Sequence, residues 1–301
     1  MTKRKRRPPH ARPAKPKPIR LTENDRRILE AIHAFDGMMS LEQIDRLRFN
    51  GTGGTWPRER MRALFDHRYV NMPNTANAHR VPAGETIYFL DVEGARVVAD
   101  LYGESLKEFT WRKQPRMHLI SHDLAVNKFR IDVKFSALTA ATLKLHQWVP
   151  ESEFWTDMDV VTYQTRKGKS NTRGIRPDGF FTIRRASPDD PGADEEYAFL
   201  LEIDKGTEDN PRFARDKVLP GIAYLSSQVY QERFGVSYGR WLVVTTGEDR
   251  LENMREQAER SGGEDLFYFT TFDQVSPESV LTQPIWKPAG TDKAAPMIPN
   301  P

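Results

Sequence analysis

Two short strings hold most of the residues that could do chemistry: Arg176-Pro177-Asp178-Gly179 and Leu201-Glu202-Ile203-Asp204-Lys205-Gly206-Thr207-Glu208. Glu202 and Asp204 are two apart, so on an extended strand both side chains point to one face. If the strands on either side of residues 184–196 pair as a hairpin, Asp178 falls opposite residues 202–204. Three carboxylates then converge at one end of a sheet. Like charge packed that closely needs a cation or bound protons to compensate it. Carboxylates acting with phosphate oxygens are how Mg²⁺ is usually held. Asp178, Glu202 and Asp204 are therefore candidate metal ligands and candidate catalytic residues. Lys205 has the wrong parity to join them.

The elements that must position these acids follow from periodicity. A mostly helical segment spans Met117 to Ala141, with Leu119, Leu124, Val126, Phe129, Ile131 and Val133 as its apolar candidates. Strands are expected at Leu143–Val149, Arg176–Ile183 and Tyr197–Asp204. The apolar run Tyr197 to Leu201 suits a buried central strand. Asn210 caps a helix with Pro211 in its first turn, and Phe213, Val218, Ile222 and Leu225 mark its packed side. Strand Arg240–Thr246, helix Arg250–Arg260 and strand Leu266–Thr271 complete the pattern. The order α-β-β-β-α-β-α-β predicts an α/β (α+β) unit over residues 117–273, a mixed sheet with flanking helices. Residues 274–301 are Pro-rich and aperiodic, and read as a disordered tail.

The first part of the chain has a different rhythm. In residues 21–102, Thr22 caps a helix with Asp25 three positions on, and Ser40 caps a second with Gln43 in the same relation. Ile28, Leu29, Ile32 and Phe35 form the apolar face of the first helix; Leu41, Ile44 and Leu47 form that of the second. After the Gly-rich stretch Asn50 to Gly54, a third helix is capped by Thr55 and carries Met61, Leu64 and Phe65 inward. Tyr69–Met72 and Glu85–Leu90 read as a hairpin with a long tip, followed by a closing helix. Three helices and such a hairpin predict a winged helix-turn-helix, with the third helix in the major groove of duplex DNA and the wing along its backbone or minor groove. Arg58, Arg60 and Arg62 on that helix, Arg68 beyond it, and His79 and Arg80 in the wing are the candidate DNA contacts. A solvated helix face or a protein-docking module would use the same residues. Residues 103–116 read as a polar linker.

Charge supports a nucleic-acid partner. Residues 3–20 hold nine Lys or Arg, five Pro and no acid; the remainder carries 36 basic and 42 acidic residues, a net of −6. Residues 1–20 are thus expected to be a disordered basic tail, and Lys3, Arg4, Lys5, Arg6 and Arg7 are candidate phosphate contacts. A solubilising terminus has the same composition. There is no cysteine, which excludes disulfides, thiol chemistry and Cys-ligated metals. No apolar run is long enough to span a membrane. No apolar stretch follows the basic N-terminus as a signal peptide requires, so a cytoplasmic protein is expected.

The order of elements over Met117 to Thr271, with Asp178 and Glu202, resembles the restriction-endonuclease-like PD-(D/E)xK superfamily. That resemblance implies two acids holding Mg²⁺ and a lysine two residues past the second acid that helps activate water. Here that lysine position is Asp204, and Lys217, on the following helix, is either a relocated catalytic amine or an ordinary solvent lysine. The whole chain is similar to the replication-relaxation family of plasmid and mobile-element proteins. The strings that carry this likeness are LTENDRRIL, MMSLEQIDRL, TIYFLDVEGARVV, SHDLAVN, RPDGFF and LLEIDKGTE. His122, in SHDLAVN, is a further candidate site residue by that match, although a lone helical histidine is more often structural. The resemblance implies a DNA-binding accessory of plasmid or mobile-element replication, relaxation or mobilisation, with other replication or mobilisation proteins as partners. A Mg²⁺-dependent deoxyribonuclease and, more weakly, a winged-helix transcriptional regulator are the alternatives.

Overall fold

Local signals at the helix starts are realised as hydrogen bonds. In the computed structural model, which describes residues 8, 10–51, 53–165, 168–187, 194–206 and 210–299, Thr22 and Asp25 form a reciprocal capping box on α1 (Glu23–Ala34). β1 (Met38–Ser40) leads into α2 (Leu41–Arg48), where Ser40 and Gln43 form a second box. Each box satisfies two N–H groups that the first turn leaves without helical partners. α3 (Thr55–Asp66) starts one residue earlier than expected, with Gly54 rather than Thr55 as its cap. β2 (Val70–Asn71), a 3₁₀ turn over Thr75–Arg80, β3 (Ile87–Leu90) and α4 (Val92–Tyr102) follow. The strands form an antiparallel sheet in the order β1-β3-β2. α4 lies so close to Tyr69 that a Cβ at Gly94 would sit 1.9 Å from the Tyr69 carbonyl oxygen. Only glycine fits that crossing.

The chain divides into two compact units, Met1–Asn127 and Lys128–Pro301. The stretch expected to be a linker belongs to the first unit's packing. Phe109 is buried against His33 and Tyr102. Arg112 and Arg116 bond Asp36 and Asp123. The first turns of α5 (Ile120–Thr139) add Ile120 and Leu124 to Met38, Ile87 and Phe89. Asn127 donates to the carbonyls of Phe35 and Met38.

The described part of the N-terminal tail differs from the disordered arm expected. Arg12 donates to the carbonyls of Phe65 and Val70 and pairs with Asp91 at 2.7 Å. Arg62 donates to the Ala11 carbonyl, Arg60 to that of Arg20, and His67 meets that of Lys17. Proline has no N–H to donate, so a Pro-rich stretch leaves carbonyls without backbone partners, available to these side chains. Lys3 to Arg7 lie outside the described residues.

The second unit is built on a six-stranded sheet, order β11-β10-β9-β8-β7-β4. β4 (Leu143–Pro150), β7 (Gly179–Arg185) and β8 (Glu195–Ile203) form an antiparallel meander. Between β4 and β7 lie α6 (Glu151–Thr156) and a separate hairpin of β5 (Val160–Gln164) and β6 (Ser170–Gly174), which periodicity did not reveal. β9 (Arg240–Thr245) and β10 (Phe267–Thr271) run parallel to β8. The crossover from β8 to β9 contains α7 (Asn210–Phe213), a π-helical segment Ala214–Val218, α8 (Leu219–Leu225) and α9 (Gln228–Phe234). α10 (Glu248–Glu259) crosses from β9 to β10.

Strands β9 and β10 are almost wholly buried, as expected of parallel strands covered on both faces. One face presents Phe180, Leu200, Val243 and Phe269 to Val218, Tyr224, Tyr230 and Met254. Of opposite parity, Phe181 meets Phe129, Trp148 and Phe199. Residues 274–299 are not a disordered tail. Trp286 is fully buried with its indole N–H on the Val280 carbonyl, and Val280, Leu281, Met297 and Ile298 are buried around it. β11 (Lys287–Pro288) pairs with β10. These anchors are spaced without a helical or strand period, so the pattern carried no signal. Among the described residues, no helix is long and apolar enough to cross a membrane.

Candidate functional site

The two strings met first in the sequence do meet in space. β7 starts at Gly179 opposite Leu201, and the ladder continued one step sets Asp178 opposite Glu202. Asp178 is buried and grips the backbone on both sides of Glu202: its N–H donates to the Leu201 carbonyl at 2.9 Å, and its Oδ2 accepts the Ile203 N–H at 2.6 Å. On the other side, the next residue packs tightly on β4: a Cβ at Gly179 would be 3.0 Å from the Trp148 ring. Lys217, in the π-helical segment, reaches Glu202 with both carboxylate oxygens within 2.8 Å of its Nζ. Both groups are largely withdrawn from solvent. An acid, a second acid and an ammonium therefore gather at the end of β8.

Asp204 does not join them. β8 ends at Ile203, and the Asp204 carboxylate turns to Thr245 Oγ1 and the Arg250 Nε, both at 2.5 Å, and to the Gly206 N–H at 3.2 Å. Burial alone would raise its pKa, but hydrogen bonds from Arg250 and Thr245 outweigh it and hold the carboxyl below its ordinary range. Its oxygens are spent on protein donors. The expected convergence of three acids is thus corrected: among the described residues no group of three or more His, Asp or Glu side chains is arranged to hold a metal ion. Lys205 lies over the Phe272 ring, away from Glu202 as its parity requires. Thr207 and Glu208 lie outside the described residues. His122 belongs to a different cluster, 3.4 Å from Asp123 in the first unit.

The basic candidates of the first unit also sort into two kinds. Arg60 forms a two-pronged pair with buried Asp25, so its guanidinium holds α3 on α1. Arg62 pairs with Asp66 at 3.1 Å and lies over the Phe65 ring. Arg58, Arg68, His79 and Arg80 are exposed. Arg68 is held at φ 63° and only grazes Asp91 at 3.9 Å.

Sequence reasoning missed a second cationic group. Asp216, beside Lys217, is gripped by Arg173 of β6, Arg212 of α7 and Arg215. The string Arg212-Phe213-Ala214-Arg215-Asp216 carried part of that signal, since Arg212 and Asp216 have helical i, i+4 spacing.

A family model described as replication-relaxation matches residues 29–236, more than half of the chain. The chain belongs to the replication-relaxation family. The interval shared with the family includes Asp178, Glu202, Asp204 and Lys217 but stops short of Arg250, so the lock on Asp204 lies beyond it. No curated protein and no solved structure matches the chain.

Proposed function

We propose that this replication-relaxation protein is a duplex-DNA-binding accessory of plasmid or mobile-element replication or relaxation. The first unit acts as a winged helix-turn-helix and the second as a restriction-endonuclease-like module. The observation that carries the reading is the order α1-β1-α2-α3-β2-β3 with exposed Arg58 on α3, Arg68 just beyond it, and His79 and Arg80 between β2 and β3. Such cations engage phosphates, and base edges are read from the same helix. Arg60 and Arg62 support α3 rather than reaching outward.

A second reading is favoured by one contact, Lys217 on Glu202 beside Asp178. It supplies from a helix the amine that Asp204 replaced on the strand, so the module acts as a Mg²⁺-dependent deoxyribonuclease. Two carboxylates are a suitable hard-oxygen donor set for Mg²⁺, which keeps waters and phosphate oxygens as its other ligands. Asp178 and Glu202 would hold the ion; bound, it would polarise a phosphoryl oxygen and acidify a water. Asp178 fixes the end of β8, and Lys217 offsets charge at Glu202 and offers a proton donor beside it.

One experiment tests both readings: the full chain with supercoiled plasmid, with and without Mg²⁺ or Mn²⁺, scored for binding and for nicking. The accessory reading expects a retarded plasmid, lost on combined Arg58→Gln, Arg68→Gln and Arg80→Gln replacement. The nuclease reading expects divalent-dependent nicking, abolished by Asp178→Ala, Glu202→Ala or Lys217→Ala with binding retained. Binding without nicking at any metal concentration leaves the accessory reading alone. No binding overturns it.

A further inference from the structure

Three arginines from three elements meet on one carboxylate. Arg173 Nη1 and Arg215 Nε each lie 2.8 Å from Asp216 Oδ1, and Arg212 Nε lies 3.2 Å from Oδ2. The Asp216 side chain is 7% exposed, whereas those of Arg173, Arg212 and Arg215 are 41%, 57% and 61% exposed. Each side chain keeps more than a third of its surface in solvent, where its planar fork of N–H donors can meet an incoming group.

The arrangement is built in advance of any ligand. β6 is fixed to the π-helical segment by Tyr163, whose hydroxyl donates to the Arg215 carbonyl and accepts from Asn171. Hydrogen bonds from Arg215, against the cost of burial and with help from Arg173 and Arg212, hold the Asp216 carboxyl below its ordinary range. It stays an anion and keeps the arginines aimed. Exposed Lys169 and Asn171, of the same parity as Arg173, continue the polar face along this arm of the hairpin. Short π-helical insertions are concentrated at functional sites. This one presents Arg215 to the cluster and, two residues on, Lys217 to Glu202.

We propose that Arg173, Arg212 and Arg215, organised by Asp216, bind the backbone phosphates of a DNA strand beside Glu202 and Lys217. This rests on the reading that the protein acts on DNA, and it adds to the first unit's surface a second contact. Guanidinium forks match phosphate oxygens in geometry and charge. Asp216 here is a positioning residue.

The test uses the full chain and fluorescent oligonucleotides of mixed sequence, single-stranded and duplex, over a salt series. Each phosphate contact removed should flatten the slope of log affinity against log salt by roughly 0.9 on duplex or 0.7 on single-stranded DNA. Combined Arg173→Gln, Arg212→Gln and Arg215→Gln replacement should therefore flatten it by about 2 to 3 on the strand type the site prefers. Far-UV circular dichroism monitors folding, and the combined Arg→Lys variant, which keeps the charge, should retain most of the slope. A Gln variant that folds and keeps the parent slope on both strand types overturns the proposal. If the Arg58, Arg68 and Arg80 variant loses DNA while the cluster variant does not, the cluster proposal fails and the DNA reading stands. If the parent binds inorganic phosphate at the cluster but no oligonucleotide, both fail.

Discussion

α3 and the π-helical segment each set arginine against a buried aspartate, and the stoichiometry separates their roles. On α3 one arginine meets one aspartate: Asp25 is 1% exposed, Arg60 19%, and the pair is locally neutral. Burial pushes the Asp25 carboxyl up, but hydrogen bonds from Arg60 and Thr22 outweigh that and hold it below its ordinary range. At the π-helical segment one aspartate meets three arginines, each exposed by more than a third. The first arrangement closes a gap between helices. The second displays charge. An arginine count along the sequence treats Arg58, Arg60 and Arg62 alike and overlooks Arg212 and Arg215, because whether a cation is spent depends on the carboxylates it meets.

The largest effect expected from this comparison is on Arg60. Truncating it leaves Asp25 buried without its main counter-ion, and loss of one partner from a buried pair costs about 3–5 kcal/mol. Arg60→Ala should lower the urea midpoint of the first unit accordingly. A shift no larger than that of a surface substitution would show that Arg60 is not the brace inferred here, and would return it to the candidate DNA contacts.

Legibility followed range. Both capping boxes were readable because their partners are three residues apart and the chemistry is local. The meander and the parallel strands were readable from apolar runs, as was the position of Asp178 opposite Glu202, which needs only a hairpin register. The reach of Lys217 to Glu202 depends on the π-helical register of residues 214–218, which no periodic template predicts. The diversion of Asp204 depends on Arg250, 46 residues away, on a helix whose place is set by the sheet order. The burial of Trp286 shows the same limit from the apolar side, since an aperiodic, Pro-rich stretch can still dock a large ring.

Acid sensitivity should expose the spent carboxylates next. Asp25, Asp204 and Asp216 all have folded-state pKa values held below the ordinary ones. The unfolded chain therefore takes up their protons first. Their stabilisation is complete above the ordinary aspartate range and is lost as pH falls through the lowered folded values. In Asp204→Asn, stability near neutrality should drop while its decline below about pH 4 becomes shallower, measured as unfolding free energy against pH. An unchanged acid slope would mean that Arg250 and Thr245 do not favour the ionised form. This locked carboxylate also makes Asp204→Lys a poor restoration of the superfamily lysine, because the new ammonium would face Arg250.

The smallest effect is the one that separates the two regions most sharply. Arg212→Ala removes one of three cations from Asp216, which keeps Arg173 at 2.8 Å and Arg215 at 2.8 Å. Asp216 is not left without a counter-ion, and the truncated side chain is more than half exposed. Exposed ion pairs contribute about 0–1 kcal/mol, so the urea midpoint should move little. Removal of Arg60 and removal of Arg212 thus test one rule, that an arginine's structural weight is set by what its aspartate has left after it is gone. If Arg212→Ala proved as destabilising as Arg60→Ala, the three guanidiniums would be a structural hub holding β6 to the crossover, and their outward charge would be incidental to it. If it leaves stability unchanged, α7 displays, beside the π-helical segment, a cation that folding does not need.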